Sequence, residues 1–424
     1  MPEPDGDLIY DIVGVGFGPA NLALGIAVSE QGGDVSALFL ERQSGFGWHR
    51  GMLLADATMQ VSFLKDLVTL RDPTSPFSFL CYLHSKDRLI DFVNHKSFFP
   101  TRVEFHDYLE WAAEKLEDLV CYGHEVIDVA PAEGYLNVIA QGPGSAQVFR
   151  ARNVVFATGL EPWTPDGLPR GERIWHSSDL LHRVDKLAAL APRRLVVLGA
   201  GQSAAEVTAF LHDRFPDADV HAVFARYGYS PADDTPFANR VFDPAAVDDF
   251  FGAPAEVKQM MLDYHGNTNY SVVDADLIED LYRRVYREKV TGERRLWMHN
   301  LSRLGPVTNT ATGLRATVES LVDGARTDLD VDLLVCATGY RPADPSRLLG
   351  AVWNTCRRDE RGRVRVDRDY RLVTDPDPGC GIYLQGGTEH THGITSSLLS
   401  NASVRAGEIL RSVVERRSAV RVSA

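Results

Sequence analysis

An apolar run at 8–14 is broken by Gly14-Val15-Gly16-Phe17-Gly18, and apolar residues return with helical spacing over 19–30. Such a run predicts a buried parallel strand, the glycines a turn, and the spacing a helix. A second run at 37–41 completes a βαβ unit. The pattern recurs at Leu195-Val196-Val197-Leu198, followed by Gly199-Ala200-Gly201-Gln202-Ser203-Ala204-Ala205 and a matching strand end at Ala222-Val223-Phe224-Ala225-Arg226-Tyr227. Residues 103–119 regain helical spacing, 126–140 alternate like an antiparallel ribbon, and 233–290 are polar and helical with no strand-like run. Two near copies of one apolar run, at 154–159 and 334–339, each end in Thr-Gly and read as the last strand of a sheet before the chain leaves it.

The expected architecture is therefore α/β: two Rossmann-like dinucleotide-binding domains with a small, mainly helical substrate subdomain. The first domain takes 7–164 and resumes at 333–415. The second takes 165–332, with the helical insertion at about 233–290. Residues 47–102 are rich in Phe, Pro, Asp and Lys with little periodicity, and irregular excursions of that length are more often functional than idle.

Composition narrows the classes. The chain has 424 residues, enough for two or three domains, with 44% hydrophobic and 24% charged residues. A net charge of −14 with no basic stretch argues against a nucleic-acid partner. The five cysteines, Cys81, Cys121, Cys336, Cys356 and Cys380, form no C-x-x-C pair. That argues against a redox dithiol and a thiolate zinc site, and the sparse, odd count suits a reducing cytoplasm. The first seven residues are acidic rather than a cationic signal. The longest apolar stretch, 8–28, holds Asp11, Pro19, Asn21 and four glycines, so no membrane span is expected.

Each glycine turn has a chemical demand. Gly14 allows the tight turn, Gly16 removes a Cβ that would block a pyrophosphate, and the next helix aims its N-terminal N–H groups at the anion. Pro19 stands where a third glycine is usual, with Gly18 before it; proline in a first helical turn leaves no extra donor unpaired. Glu41 ends the second strand, where a carboxylate accepts from both ribose hydroxyls of an adenosine lacking a 2′-phosphate. This fits FAD or NAD. The second turn has the G-x-G-x-x-A form (Gly199, Gly201, Ala204), and Arg226 rather than an acid closes its second strand. A cation there meets a 2′-phosphate and points to NADPH.

Several longer strings carry a family resemblance. They are Trp48-His49-x-Gly51-Met52-Leu53-Leu54, Met59-Gln60-Val61-Ser62-Phe63-Leu64-Lys65-Asp66-Leu67, Arg71-Asp72-Pro73 and Pro100-Thr101-Arg102-x-Glu104-Phe105. With them stand Asp233-Asp234-Thr235-Pro236-Phe237-Ala238-Asn239, Asn267-Thr268-Asn269-Tyr270-Ser271 and Thr388-Glu389-His390-Thr391-His392-Gly393. Together they resemble the L-ornithine N-monooxygenases, N-hydroxylating class B flavoprotein monooxygenases of siderophore and hydroxamate or nonribosomal peptide biosynthesis, over about residues 9–410.

The resemblance implies FAD in the first domain, NADPH in the second, O2 and L-ornithine as reactants, and a homotetramer. It implies that Lys65 pairs with the substrate carboxylate, that Asn239 holds it from the other side, and that Asn269 bridges substrate and nicotinamide ribose. Thr388 and Leu399 join the substrate site. Trp48, His49, Gln60 and Leu399 join the flavin contacts of Gly14, Gly16, Gly18, Pro19 and Glu41. Gln202, Ser203, Asn269, Thr338 and Gly339 join the NADPH contacts of Gly199, Gly201 and Arg226. Gln60, Arg102 and Asn269 support the chemistry, and no side chain acts as a nucleophile. The implied route is NADPH reduction of FAD, addition of O2 to give a 4a-hydroperoxyflavin, and attack by the ornithine side-chain amine to give N-hydroxyornithine.

The residues agree with that reading. A substrate carboxylate needs a fixed cation, and neutral amides complete its shell. The reacting amine has an unperturbed pKa near ~10.4, so it needs a desolvated site without a neighbouring carboxylate. His390 and His392 have a chelating spacing, but the reaction requires no metal. His176 is similar to a histidine of related flavin monooxygenases without the full motif, and its role stays open. Alternatives are the same chemistry on L-lysine or a diamine, another class B flavin monooxygenase, a flavin disulfide reductase (disfavoured by the unpaired cysteines) or a non-enzymatic dinucleotide sensor.

Overall fold

The computed structural model describes residues 8–423, apart from the side chains of 267–269 and 419–423. Its largest sheet has seven strands. Six run in the order Val120–Tyr122, Ala37–Glu41, Ile9–Val15, Ala146–Phe156, Tyr135–Gln141 and Glu125–Ala132. The seventh, Gly381–Leu384, comes from far along the chain and pairs in parallel with the second half of Ala146–Phe156. The register sets Leu40, Val15, Phe156 and Leu384 abreast at the carboxyl ends of four strands. Ligands of open α/β sheets bind beyond such ends. The glycine turn after Val15 and the stretch after Leu384 therefore open on the same side.

A buried amide chain ties those two stretches together. Asn21, in the helix Pro19–Ser29, is inaccessible to solvent. Its Nδ2 donates to the carbonyls of Gly16 (2.7 Å) and Val155 (3.3 Å). Its Oδ1 accepts from Gln385 Nε2 at 2.9 Å, and the same amide donates to the Ala20 carbonyl. Buried Arg405, in the C-terminal helix Ala402–Ser423, donates to the carbonyls of Ser396 (2.9 Å) and Thr395 (3.3 Å), with its Nε 3.5 Å from Gln385 Oε1.

The second sheet is parallel throughout, in the order Leu296–His299, Asp219–Val223, Arg194–Leu198, Leu333–Cys336, Ile174–His176. The boundary expected at 332 therefore falls just ahead of a strand that pairs within this sheet. Alternation along Arg194–Leu198 assigns its two faces. Leu195 and Val197 pack on Val207, Leu211 and Leu281 from helices. Val196 packs on Leu314, Ala316 and Val331. Those belong to an antiparallel sheet of Ser302–Asn309, Leu314–Ser320 and Arg326–Val331 that the sequence reading did not anticipate. The 233–290 region is helical, as its pattern predicts: a 3-10 turn at Ala238–Phe242, then Ala246–Gly252, Ala255–Asn269 and Ala275–Thr291. The chain crosses between the two large sheets twice, and the crossings pair as an antiparallel ribbon, Leu160–Pro162 with Tyr340–Pro342.

Replacing Asn21 with alanine would take one of two acceptors from the buried Gln385 amide and the side-chain donor from the Gly16 and Val155 carbonyls. Each such loss costs roughly 1–3 kcal/mol. We expect Asn21→Ala to lower the urea midpoint by that order, measured by fluorescence against wild type; an unchanged midpoint would show that the amide chain contributes nothing.

Candidate functional site

At the first glycine turn, Gly16 adopts φ +83°, and a Cβ there would lie 2.7 Å from the Ala157 carbonyl oxygen. Gly18 caps the helix with Pro19 at its start, and a Cβ on Gly18 would meet nothing within 4 Å. The turn is thus glycine by geometry at Gly16 and open toward the helix N-terminus at Gly18. Glu41 is buried and grips the turn: Oε2 accepts from the Phe17 N–H at 2.8 Å and Oε1 from the Gln43 N–H at 2.9 Å. An ionised carboxylate has about four acceptor positions, so each oxygen keeps capacity for a ribose hydroxyl.

The stretch after Leu384 holds unpaired polar groups. Thr388 Oγ1, Ser396 Oγ, Ser400 Oγ, Ser403 Oγ and both amide atoms of Asn401 are buried without a protein partner. Leu399 lies among them, half-buried against the first core. A folded protein rarely leaves such a cluster unmatched. A ring system rich in carbonyls and ring nitrogens fits this donor set, as the flavin assignment requires. His390 and His392 do not converge on a metal: His390 Nε2 is 2.9 Å from the Val364 carbonyl and His392 Nε2 is 3.2 Å from that of Arg368. His392 stacks on Tyr370 at 4.1 Å, and burial pushes its imidazole down to about 4.

Trp48 and His49 lie where the 47–102 excursion approaches the crossing ribbon. His49 is at φ +49° and makes edge contacts with Trp48 (4.8 Å) and Tyr340 (5.7 Å). It is accessible along one side yet enclosed by protein. Loss of hydration, with the Arg102 charge second, pushes its imidazole down to about 4. His176 also meets Tyr340, at 4.9 Å. Its Nδ1 accepts from the Ser178 N–H and its Nε2 faces the Gly339 carbonyl at 2.9 Å, which makes it a neutral Nε2–H donor. His176 therefore braces the ribbon where the chain leaves the second sheet.

The second glycine turn is tighter. A Cβ on Gly199 would lie 2.3 Å from the Ala337 carbonyl oxygen and 3.2 Å from Ala204 Cβ, which explains both the glycine and the alanine of the motif. Ser203 sits in the first turn of the helix Gln202–Arg214. Thr338 and Gly339 follow the neighbouring strand, where Thr338 Oγ1 donates to the Trp163 carbonyl at 2.5 Å and the Gly339 carbonyl accepts from the Trp163 N–H. Arg226, half-buried, donates to the Ser271 carbonyl at 2.8 Å.

Gln60, Arg102 and Gln202 meet across the gap between the two nucleotide folds. Arg102 donates to both oxygens of Glu206, at 2.8 and 3.0 Å, and to the Met52 carbonyl. Gln202 Nε2 donates to Glu206 Oε1 (3.0 Å) and to Asp274 Oδ2 (2.9 Å), and Gln60 Nε2 donates to Asp274 Oδ1 (3.2 Å). Glu206 and Asp274 escaped the sequence reading. The i,i+4 spacing of Gln202 and Glu206 was the available signal for the first. Asp274 reads as an ordinary helix cap.

Lys65 is half-buried, with Nζ 5.8 Å from the centroid of Phe242. Phe242 shares its 3-10 turn with Asn239, so the excursion and the helical insertion bring these two predicted residues to one place. Asn239 Nδ2 donates to the Asp234 carbonyl at 2.7 Å. Among the described residues Lys65 has no carboxylate partner. Its neighbour Asp66 is buried and fixes the loop by accepting from the N–H groups of Val68, Thr69 and Phe79, at 2.7–3.0 Å. Burial raises the Asp66 carboxyl despite those donors. Asn269 ends the helix Ala255–Asn269, and its side chain lies outside the described residues.

Two sheets, one mixed and one parallel throughout, each with a glycine turn feeding a helix N-terminus, define a two-dinucleotide-fold flavoenzyme architecture. The chain belongs to the L-lysine 6-monooxygenase/L-ornithine 5-monooxygenase family, whose model matches residues 8–342. It is 41% identical to the L-ornithine N(5)-monooxygenase of Burkholderia cepacia, over 91% of this chain and 90% of that one. Among solved structures, the ornithine N-hydroxylase of Kutzneria sp. 744, described with reduced FAD, NADP+ and L-ornithine, superposes with a TM-score of 0.94 at 50% identity. That match covers 97% of this chain and 100% of that one. The ornithine hydroxylase of Pseudomonas aeruginosa gives 0.91 at 36% identity, covering 96% and 100%.

Two outcomes follow from these contacts. Glu206→Ala leaves the shielded Arg102 guanidinium without its carboxylate, and breaking such a pair costs about 3 kcal/mol. We expect a lower thermal midpoint for it and a smaller loss for Glu206→Gln, read by differential scanning fluorimetry. The second concerns pH. His392 binds fewer protons folded (about 4) than unfolded (about 6.5), so its contribution is complete above the unfolded value and is withdrawn as pH falls toward 4. That withdrawal amounts to about 3 kcal/mol. His392→Gln is expected to flatten the fall in thermal midpoint between those pH values; an identical slope would contradict the assignment.

Proposed function

We propose that this chain is an FAD- and NADPH-dependent L-ornithine N5-monooxygenase, which uses O2 to make N-hydroxy-L-ornithine for siderophore or hydroxamate peptide assembly. The observation that carries the substrate is Lys65, a half-buried cation with no carboxylate partner among the described residues, set beside the turn that bears Asn239. An α-amino acid supplies the missing anion. Bound FAD supplies the oxygen-activating centre and NADPH the electrons.

The chain's own residues bind, orient and shield. Gly14, Gly16, Gly18 and the helix begun by Pro19 take the FAD pyrophosphate, and Glu41 takes its ribose. Trp48, His49, Gln60, Thr388 and Leu399 surround the flavin and the reacting end of the substrate. Gly199, Gly201, Gln202 and Ser203 take the NADPH pyrophosphate, Arg226 its 2′-phosphate, and Thr338 and Gly339 its flank. Asn269 and Arg102 serve the nicotinamide side. His49 stays neutral near the flavin, so it adds no charge to repel a cationic amine as that amine sheds its proton. On this reading 7–164 and the part of 333–415 beyond the crossing ribbon serve FAD, and 165–332 serves NADPH together with the strand Leu333–Cys336 and the Thr338–Gly339 turn that complete its sheet. The assembly is a homotetramer working in the cytoplasm, where NADPH is supplied and the cysteines, which form no disulfide among the described residues, stay reduced.

L-Lysine is the second reading, because the family description spans both amino acids. One methylene changes binding by only ~1–3 kcal/mol. The relatives of highest identity reported above are ornithine enzymes, and they favour ornithine.

The test is a hydroxylamine-product assay on purified protein with FAD and NADPH, comparing L-ornithine, L-lysine and putrescine. Ornithine is expected to give product fastest, and putrescine least because it lacks the carboxylate. Lys65→Ala is expected to raise the ornithine KM by roughly 10- to 100-fold, the worth of a charge-assisted contact, while NADPH-driven flavin reduction persists. Putrescine turnover equal to ornithine, or an unchanged KM, would overturn the assignment.

A further inference from the structure

Asp274 stands at the N-cap of the helix Ala275–Thr291, yet its side chain makes no capping bond. Aspartate is among the best N-cap residues because its carboxylate accepts from the first-turn N–H groups. Here both oxygens turn away: Oδ1 accepts from Gln60, in the excursion of the first fold, and Oδ2 from Gln202, on the second glycine turn. Gln202 closes the pair by accepting the Asp274 N–H at 2.8 Å. Loss of water raises the Asp274 carboxyl, a cost that an exposed capping aspartate would avoid.

The segment ending at Asp274 is held along its whole length. The Tyr270 hydroxyl donates to Glu389, next to Thr388. Ser271 takes a left-handed backbone, φ +57°, its carbonyl accepts from Arg226, and its Cα lies 3.3 Å from where a Gly201 Cβ would be. Val273 forms an isolated bridge with Pro231, through two backbone hydrogen bonds to Ser230 and Ala232. Residues 270–274 therefore touch the cation assigned to the 2′-phosphate, the pyrophosphate turn, Gln60 and the end of the 381–389 stretch, and they begin where the helix carrying Asn269 stops.

We propose that Asp274 is a positioning residue: by bridging Gln60 and Gln202 it makes segment 270–274 the part through which bound NADP(H) sets the Asn269 helix end against the substrate. This rests on the monooxygenase reading above. Nucleotide contact with Arg226 or Gln202 is felt at Ser271 and Asp274, and the flavin-side loop carrying Gln60 is drawn to the same point. Oxidised NADP+ is then retained while the substrate amine reacts, and the reduced oxygen is not lost as hydrogen peroxide.

The test separates bridging from capping. Asp274→Ser keeps a side chain able to cap the helix but too short to bridge both amides; Asp274→Ala removes both functions. On FAD-loaded protein, both variants are expected to bind NADP+ roughly tenfold more weakly by fluorescence titration, the loss of a pair of charge-assisted bonds. Both should also show faster amide exchange over 270–274 in the absence of any nucleotide. In turnover, both are expected to raise the ornithine KM and the hydrogen peroxide formed per NADPH, with flavin reduction at saturating NADPH within about threefold of wild type. A normal NADP+ Kd and normal peroxide yield in Asp274→Ser, with defects confined to Asp274→Ala, would reduce Asp274 to a helix cap and overturn the proposal. If the wild type makes no hydroxyornithine, the function assignment falls, whereas the NADP+ titration and exchange arms still judge Asp274.

Discussion

Arg102 and Glu206 share two hydrogen bonds largely out of water, with side chains 14% and 5% exposed, and they join the two nucleotide folds. The pair is an expensive way to make a contact. Taking both ions out of water costs several kcal/mol, and the attraction repays this only where geometry is good and the remaining lone pairs are filled. Both conditions hold: the contact is bidentate, Glu206 also accepts from Gln202, and Arg102 also donates to the Met52 carbonyl. Apolar packing would hold two domains together at many relative offsets. A fork on a carboxylate fixes one. A reaction that depends on a nicotinamide meeting a flavin, and then on an amine meeting the same ring, needs that single offset.

From this pair the polar contacts run outward in order: Glu206 to Gln202, Gln202 to Asp274, Asp274 to Gln60. The members come from separate parts of the chain: Arg102 opens the helix Arg102–Glu114, Gln202 and Glu206 share the helix Gln202–Arg214, Gln60 lies on a loop of the first fold, and Asp274 stands at a helix cap position. None of them is a nucleophile. The arrangement suits chemistry that resides in cofactors, where the protein's contribution is placement and exclusion of water. It also explains the largely irregular first part of the 47–102 excursion, whose later part forms the helices Phe79–Ser85 and Leu89–His95 that its sequence pattern did not announce. Regular elements would put side chains at fixed pitch, whereas this loop delivers His49, Gln60 and Lys65 to three neighbouring tasks, with Asp66 supplying the backbone bonds that a helix or strand would otherwise provide.

What was legible in the sequence was local. Gly16, Pro19 and Ala204 announce their turns because steric demands act over a few residues, and Glu41 ends its strand as its apolar run predicts, whereas Arg226 lies three residues past the end of the strand Asp219–Val223. The helical character of 233–290 shows in its spacing. The partners could not be read that way. Gln60 and Asp274 lie 214 residues apart, Asn21 and Gln385 364, and a single side-chain hydrogen bond leaves no periodic trace. The sheet of Ser302–Val331 was missed because its exposed face is charged and an irregularity between Leu304 and Val307 interrupts the alternation of its first strand. Lys65 and Asn239 stood out through motif strings, yet nothing in either string told that one faces the turn of the other.

The unpaired polar atoms of Thr388, Ser396, Ser400 and Asn401 bear on folding as well as on binding. Each buried group left without a partner costs roughly 1–3 kcal/mol, so the stretch after Leu384 is the least self-sufficient part of the first fold. Arg405, itself buried with carbonyls and an amide rather than a carboxylate for company, spends its donors there, on Thr395 and Ser396. A ligand that satisfies those groups raises stability in proportion to its affinity and concentration. Since Gln385 and Asn21 carry the same constraint back to Gly16, the stretch after Leu384 and the first glycine turn are parts of one buried polar chain. Loss of either end loosens the other, and the order of this region and its affinity for a flavin are one quantity seen from two sides.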